Sequence, residues 1–143
     1  MAAEARGEAE AREGGCLCGG VRYRVEADPA DVGYCHCRMC QLSAGAPVMV
    51  WGTAPDGASV WTKGRPRAYR SSASAERLFC PDCGTQLAFR PLDEAPDRLE
   101  LNVVTLDDPS GVPPGHHIWV SSRVPWFETT DRLPRHPEAR EGG

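Results

Sequence analysis

The sequence predicts a mainly β domain, built from short strands with antiparallel neighbours. Three observations carry that reading. Apolar and polar residues alternate with period two in several short segments. Gly (15 residues) and Pro (13) break the 143-residue chain often, so connections are short and neighbouring strands run antiparallel. No segment sustains the 3.6-residue period of a long amphipathic helix. The length fits one domain with one modest core.

Taken in order, residues 1–13 are small and charged without periodicity, and read as a flexible tail. The domain is expected over residues 14–134, and residues 135–143 read as a second flexible tail, polar from Pro134 onward. Gly19-Gly20 lets the backbone turn tightly behind Cys16 and Cys18. Residues 21–26 alternate as a half-buried strand and Asp28-Pro29 breaks it. Val32-Gly33-Tyr34 reads as a strand end. Residues 38–44 hold no Gly or Pro and predict a short helix ended by Gly45. Residues 47–51 read as a buried strand, and Pro55-Asp56-Gly57 as a turn. Residues 59–62 and 67–71 read as a strand pair around Gly64. Residues 77–79 and 86–90 are strands entering and leaving the knuckle-like turn Cys80-Pro81-Asp82-Cys83-Gly84. Residues 99–103 alternate again, Asp107-Asp108-Pro109 reads as an Asx-type turn, and residues 117–120 as the last strand. Trp51, Trp61, Trp119 and Trp126 are expected in the core or in the walls of a site.

Composition narrows the function. A net charge of −4 weighs against a nucleic-acid partner, and the basic run over residues 63–70 reads as a solvated loop and strand edge. No apolar run approaches the ~18 residues of a membrane span. Residues 1–13 lack the apolar stretch of a secretory signal. A cytoplasmic location is therefore expected, where thiols stay reduced.

The cysteines carry the chemistry. All seven fall in three clusters: Cys16 and Cys18; Cys35, Cys37 and Cys40; Cys80 and Cys83. An odd number, and pairs separated by one residue, suit metal ligation better than disulfides. Seven divides into four, which close a structural tetrahedron, and three, which leave a position open. Cys16, Cys18, Cys80 and Cys83 can close the first site; Cys35, Cys37 and Cys40 then form the open one. Pairing Cys16 and Cys18 with the central cluster is the alternative that spacing leaves open. His36, His116, His117 and Asp107 are possible fourth ligands of the open site. His36 lies between two ligands, which turns its side chain away from the ion. His116-His117 reads more simply as a strand edge. Arg38 and His36 flank the ion, with a surface or structural role as the simpler reading. Three thiolates on Zn²⁺ carry a net charge of about −1, which favours thiol binding over water activation.

Three stretches carry a family resemblance: Gly15-Cys16-Leu17-Cys18-Gly19-Gly20-Val21-Arg22-Tyr23, then Cys35-His36-Cys37-Arg38-Met39-Cys40-Gln41, then Phe79-Cys80-Pro81-Asp82-Cys83-Gly84-Thr85-Gln86-Leu87. They resemble the glutathione-dependent formaldehyde-activating enzymes, a family that includes centromere protein V. Thr105-Leu106-Asp107-Asp108-Pro109, residues 117–120 and Pro125-Trp126 continue the resemblance. It implies a β-tent fold with two zinc ions. The structural zinc ligands fall on Cys16, Cys18, Cys80 and Cys83; the catalytic zinc ligands fall on Cys35, Cys37 and Cys40. The implied activity is a carbon–sulfur lyase reaction joining glutathione and formaldehyde to S-(hydroxymethyl)glutathione. The acidic balance of residues 1–13 argues against a chromatin role. The pattern departs at Leu42, where many members carry a basic residue.

Overall fold

The computed structural model describes residues 11–55, 57–93 and 98–140. It contains ten strands and one α-helix among those residues. In chain order these are β1 (Arg12–Gly15), β2 (Arg22–Val25), β3 (Ala30–Cys35), α1 (Arg38–Ala44), β4 (Met49–Ala54) and β5 (Ser59–Lys63). There follow β6 (Arg67–Ser72), β7 (Ala75–Phe79), β8 (Gln86–Pro91), β9 (Leu99–Asn102) and β10 (His117–Ile118). Short 3₁₀ turns at Val103–Thr105, Pro109–Gly111 and Val120–Ser122 fill the connections after β9 and β10. Among the described residues no helix is long and apolar enough to cross a membrane.

The strands form two sheets. The smaller has the order β1-β2-β5, and the larger β10-β3-β4-β9-β8-β7-β6. The mainly β, largely antiparallel class is what the alternation predicts. One pair departs from it: β10 runs parallel to β3, with His117 opposite Tyr34 and Ile118 opposite Cys35. A long excursion through the 3₁₀ turns lets the chain re-enter from the same end, which short hairpins cannot do.

The core lies between the sheets. Tyr23 and Val25 of the small sheet, with Val21 just before β2, share one buried cluster with Leu78, Leu87 and Leu101 of the large sheet and Val103 just after β9. Burying one such side chain fully contributes roughly 1.5–3 kcal/mol. Tyr23 keeps its hydroxyl satisfied, since it shares a 2.8 Å hydrogen bond with Thr105 Oγ1. Burial pushes the Tyr23 pKa up to about 12.

Several expectations change. The strands over residues 59–63 and 67–72 do not pair: β5 joins β2, while β6 joins β7 in the other sheet. Gly64 makes the crossing possible. It has φ +64°, and a Cβ there would sit 2.1 Å from the Gly20 carbonyl oxygen, so only glycine fits. Residues 117–120 yield only a two-residue strand, because Trp119 enters the left-handed region at φ 58° and turns the chain away. The tail boundaries also move. Arg12 and Glu13 belong to β1, paired with Val25 and Arg24. Residues 134–140 are held along β10 and the following turn: His136 N donates to the His117 carbonyl at 2.9 Å, and Trp119 N to the Glu138 carbonyl at 3.1 Å. Polar composition was no guide there, since backbone groups make these bonds. Residues 1–10 and 141–143 lie outside the described residues.

Candidate metal centres

Cys16 and Cys18 sit on the turn between β1 and β2; Cys80 and Cys83 sit on the turn between β7 and β8. The four sulfurs lie within 4.8 Å of one another. Two of the sulfur–sulfur distances are 3.6 Å (Cys16 to Cys18) and 3.8 Å (Cys18 to Cys80). A tetrahedron with Zn–S bonds of about 2.3 Å has edges of about 3.8 Å, so the four thiols fit one zinc ion. The turns are knuckles. Gly19 and Gly84 take φ of 78° and 82°. These turns aim amides at sulfur: Val21 N donates to Cys16 Sγ at 3.2 Å, Gly20 N to Cys18 Sγ at 3.4 Å, and Asp82 N and Cys83 N to Cys80 Sγ at 3.4 Å. Thr85 lowers Cys83 to a pKa of about 5 by hydrogen bonding. Cys18 accepts from the Gly20 amide, yet the three other thiols push it up to about 12. Four thiols at this spacing need a cation to ionise together.

The second cluster is local. Cys35 ends β3, Cys37 is the N-cap of α1, and Cys40 lies in its first turn. Cys37 Sγ accepts from Cys40 N at 3.4 Å, which caps the helix with a candidate ligand atom. Gly45 ends the helix at φ 64°, as the sequence predicts. Cys40 and Cys35 sulfurs are 3.2 Å apart, and all three lie within 4.8 Å of one another. Hydrogen bonds from Cys35 and Cys40 lower Cys37 to a pKa of about 2, and the same contacts push Cys35 far above the usual thiol range. This set also fits a divalent cation, with three ligands and room for a fourth.

The two clusters differ in what they face. Cys35, Cys37 and Cys40 line a cleft of about 680 Å³. None of the four knuckle cysteines lines it. Trp51, Ile118 and Trp119 pack against the open cluster, so two of the four tryptophans are site walls. Trp61 packs on the core, while Trp126 is 77% exposed and does neither.

Spacing alone missed several cleft residues. Arg77 of β7 is 5% exposed, and both its terminal nitrogens lie 3.8 Å from Cys40 Sγ. Trp51 Nε1 donates to the same sulfur at 3.3 Å. A charged residue at a position where alternation calls for an apolar one was the available signal. Farther out, Arg98 pairs with Glu100 at 2.8 Å, and Arg140 pairs with Asp31. His116 lines the cleft too, seated over Gly33, where a Cβ would meet its Nε2 at 2.3 Å. Burial lowers its pKa. Leu42 is exposed and does not line the cleft.

The histidines stay clear of the thiols, as the sequence predicts, and two of them meet each other, which it does not. His36 is 1% exposed and turned away from the thiols: its Nε2 lies 2.8 Å from His117 Nδ1. His117, fully buried, places Nε2 3.1 Å from both Asp131 oxygens and stacks on Tyr34 at 4.6 Å. His117 lies on the edge strand β10, as the sequence predicts, and is also the middle of a buried polar chain. Neither His36, His116 nor His117 joins a thiol cluster, and nor does Asp107, which pairs with Arg22 at 2.6 Å. Asp108 makes the expected Asx turn, accepting from Ser110 N at 3.1 Å. Arg38 donates to Gln41 Oε1 at 3.2 Å on the cleft rim.

Comparison with known proteins agrees with this geometry. Over 77 residues the chain is 34% identical to an uncharacterized lyase of Schizosaccharomyces pombe, covering 54% of this chain and 56% of that protein. Over 130 residues it is 26% identical to a Halomonas elongata protein provisionally named a glutathione-dependent formaldehyde-activating enzyme, covering 84% and 82%. A crystal structure of a Rhodobacter sphaeroides protein superposes with a TM-score of 0.56 at 26% identity, covering 71% of this chain and 91% of that one. The family profile described as glutathione-dependent formaldehyde-activating enzyme matches residues 11–122. The chain therefore belongs to the glutathione-dependent formaldehyde-activating enzyme family.

Proposed function

We propose that this chain is a zinc-dependent carbon–sulfur lyase-type enzyme that joins a thiol to formaldehyde, with glutathione as the thiol and S-(hydroxymethyl)glutathione as the product. One observation carries the reading: of the two thiol clusters among the described residues, the one with three cysteines lines the cleft of about 680 Å³ and the one with four does not. Cys16, Cys18, Cys80 and Cys83 would hold a structural zinc. Cys35, Cys37 and Cys40 would hold the other, supplying Lewis-acid stabilisation to a thiol sulfur or carbonyl oxygen when bound.

The chain's own residues do the rest. Trp51, Ile118 and Trp119 exclude water from one side of the cluster. The outer cleft mixes charges, with Arg38, Arg98 and Arg140 near Asp31, Asp93 and Glu100. Such a wall suits a zwitterionic thiol bearing carboxylates and an ammonium group, as glutathione does. In the reaction the sulfur–carbon bond forms, the thiol loses its proton, and the carbonyl oxygen gains one. His116, kept neutral by burial, is a cleft residue able to accept the thiol proton and return it to that oxygen.

The test is metal content per chain, followed by adduct formation from glutathione and formaldehyde measured against the spontaneous rate. About two zincs and an accelerated rate are expected. Two zincs with no acceleration would retire formaldehyde and leave another small thiol or aldehyde, or a binding role. One zinc with no vacant ligand position would retire the open site itself.

A further inference from the structure

Arg77 is a buried cation with no carboxylate partner among the described residues. Its side chain comes from the middle of β7, opposite Phe89 in the register, and the guanidinium carbon sits 5.2 Å from that ring's centroid. Among the described residues, no ion pair within 4.0 Å joins it to an acidic group. Its polar contacts are Ser43 Oγ at 3.3 Å and the Cys40 sulfur at 3.8 Å; Nε is buried with no partner. An unpaired charge in such a place is costly, and native folds neutralise it. The anion within reach is the thiol cluster.

The geometry assigns Arg77 as the counter-ion of the three-cysteine cluster, acting with the Trp51 indole on Cys40. The assignment rests on the reading that Cys35, Cys37 and Cys40 hold a divalent cation. Three thiolates and Zn²⁺ sum to about −1, and the guanidinium brings the set to about zero. Two consequences follow. A fourth, anionic thiolate can approach a cluster that no longer repels it. And the three ligands become unequal. Cys40 is buried and contacted by Trp51 Nε1 and both Arg77 terminal nitrogens, while Cys37 is half-buried and accepts from the Cys40 amide, with no indole or guanidinium hydrogen bond to its sulfur among the described residues. Donors on a thiolate withdraw electron density from it. Cys40 is therefore held as a ligand and shielded from the electrophile the site is proposed to handle. Arg77 is a positioning residue: it acts through Cys40.

The experiment uses the full zinc-loaded chain, with competition by a chromophoric chelator and mass-spectrometric mapping of iodoacetamide alkylation. In the parent protein Cys37 is alkylated before Cys40. In Arg77→Met, the ion at the three-cysteine site is held about tenfold less tightly and Cys40 is alkylated several-fold faster, while the four-cysteine ion is unchanged. Arg77→Lys restores most of both readouts. Trp51→Phe shows a smaller rise in Cys40 alkylation. Arg77→Met with parental zinc affinity and alkylation order would overturn the assignment and leave the functional reading standing. Loss of both ions from Arg77→Met, uncorrected by Arg77→Lys, would make the residue a part of the fold and overturn it as well. A parent protein that binds one zinc only would overturn the functional reading, and this assignment with it.

Discussion

The two thiol clusters use the same ligand atom and differ in how the chain delivers it. Cys16 and Cys18 come from the small sheet, and Cys80 and Cys83 from the large one. An ion held between them would tie the sheets together. Cys35, Cys37 and Cys40 come from one strand end and the helix that follows, so an ion there links neighbours that are already joined. The first cluster is dressed by backbone amides, the second by a buried guanidinium, an indole and a cleft. Amide donors from rigid knuckles suit a closed site. Side-chain donors on one sulfur, with open space beyond another, suit a site that must admit a further ligand.

Removing a ligand from each cluster is the sharpest way to break this contrast. Cys80→Ser should have the largest effect. A structural zinc site supplies on the order of 10–16 kcal/mol of apparent binding energy near neutral pH, more than the usual net stability of about 5–15 kcal/mol. The expected outcome is loss of the cooperative thermal transition by circular dichroism. A folded Cys80→Ser chain with its second ion in place would end the division into structural and open sites. Cys37→Ser should keep the fold and one zinc, and return adduct formation to the spontaneous rate. Unfolding with loss of both ions would instead show the second cluster to be structural.

A third change probes the scaffold behind the open cluster. His117→Ala leaves a buried His36 nitrogen unpaired and a cavity beside it. The expected cost is about 2–4 kcal/mol, seen as a fall in Tm of several degrees with both ions retained. An unchanged Tm would mean that the His36–His117–Asp131 chain does not support the cluster. The smallest effect belongs to Leu42→Lys. Because Leu42 is exposed and does not line the cleft, the KM for glutathione should stay within about twofold and stability within ~0.5 kcal/mol. A marked fall in KM would place a substrate carboxylate beside α1, outside the cleft described here.

Much of the local structure was legible because it is set by near neighbours. The alternation over residues 21–26 and 86–90 became β2 and β8, and a stretch free of Gly and Pro became α1 up to Gly45. Sheet membership was not legible. Residues 59–62 and 67–71 read as a pair, yet Gly64 passes β5 and β6 to different sheets by lying against the Gly20 backbone. The hydrogen-bonding edge that accepts a strand is provided by distant sequence, and alternation is the same on any edge. The contact between two histidines was not legible for a related reason. His36 and His117 are 81 positions apart, and only the parallel pairing of β10 with β3 brings them together.

By itself, the sequence determined the inventory of candidate ligands: seven cysteines in three clusters, their spacings, and the glycines that let two turns become knuckles. Those properties are local, since ligand spacing and turn chemistry need only a few adjacent residues. The tertiary structure decided which clusters meet, bringing Cys16 and Cys18 to Cys80 and Cys83 across two sheets. It also decided which cluster faces a cleft, and set Arg77 beside Cys40 from 37 positions away. Those outcomes depend on sheet order and on charges being paired once buried, and both are properties of the packed chain.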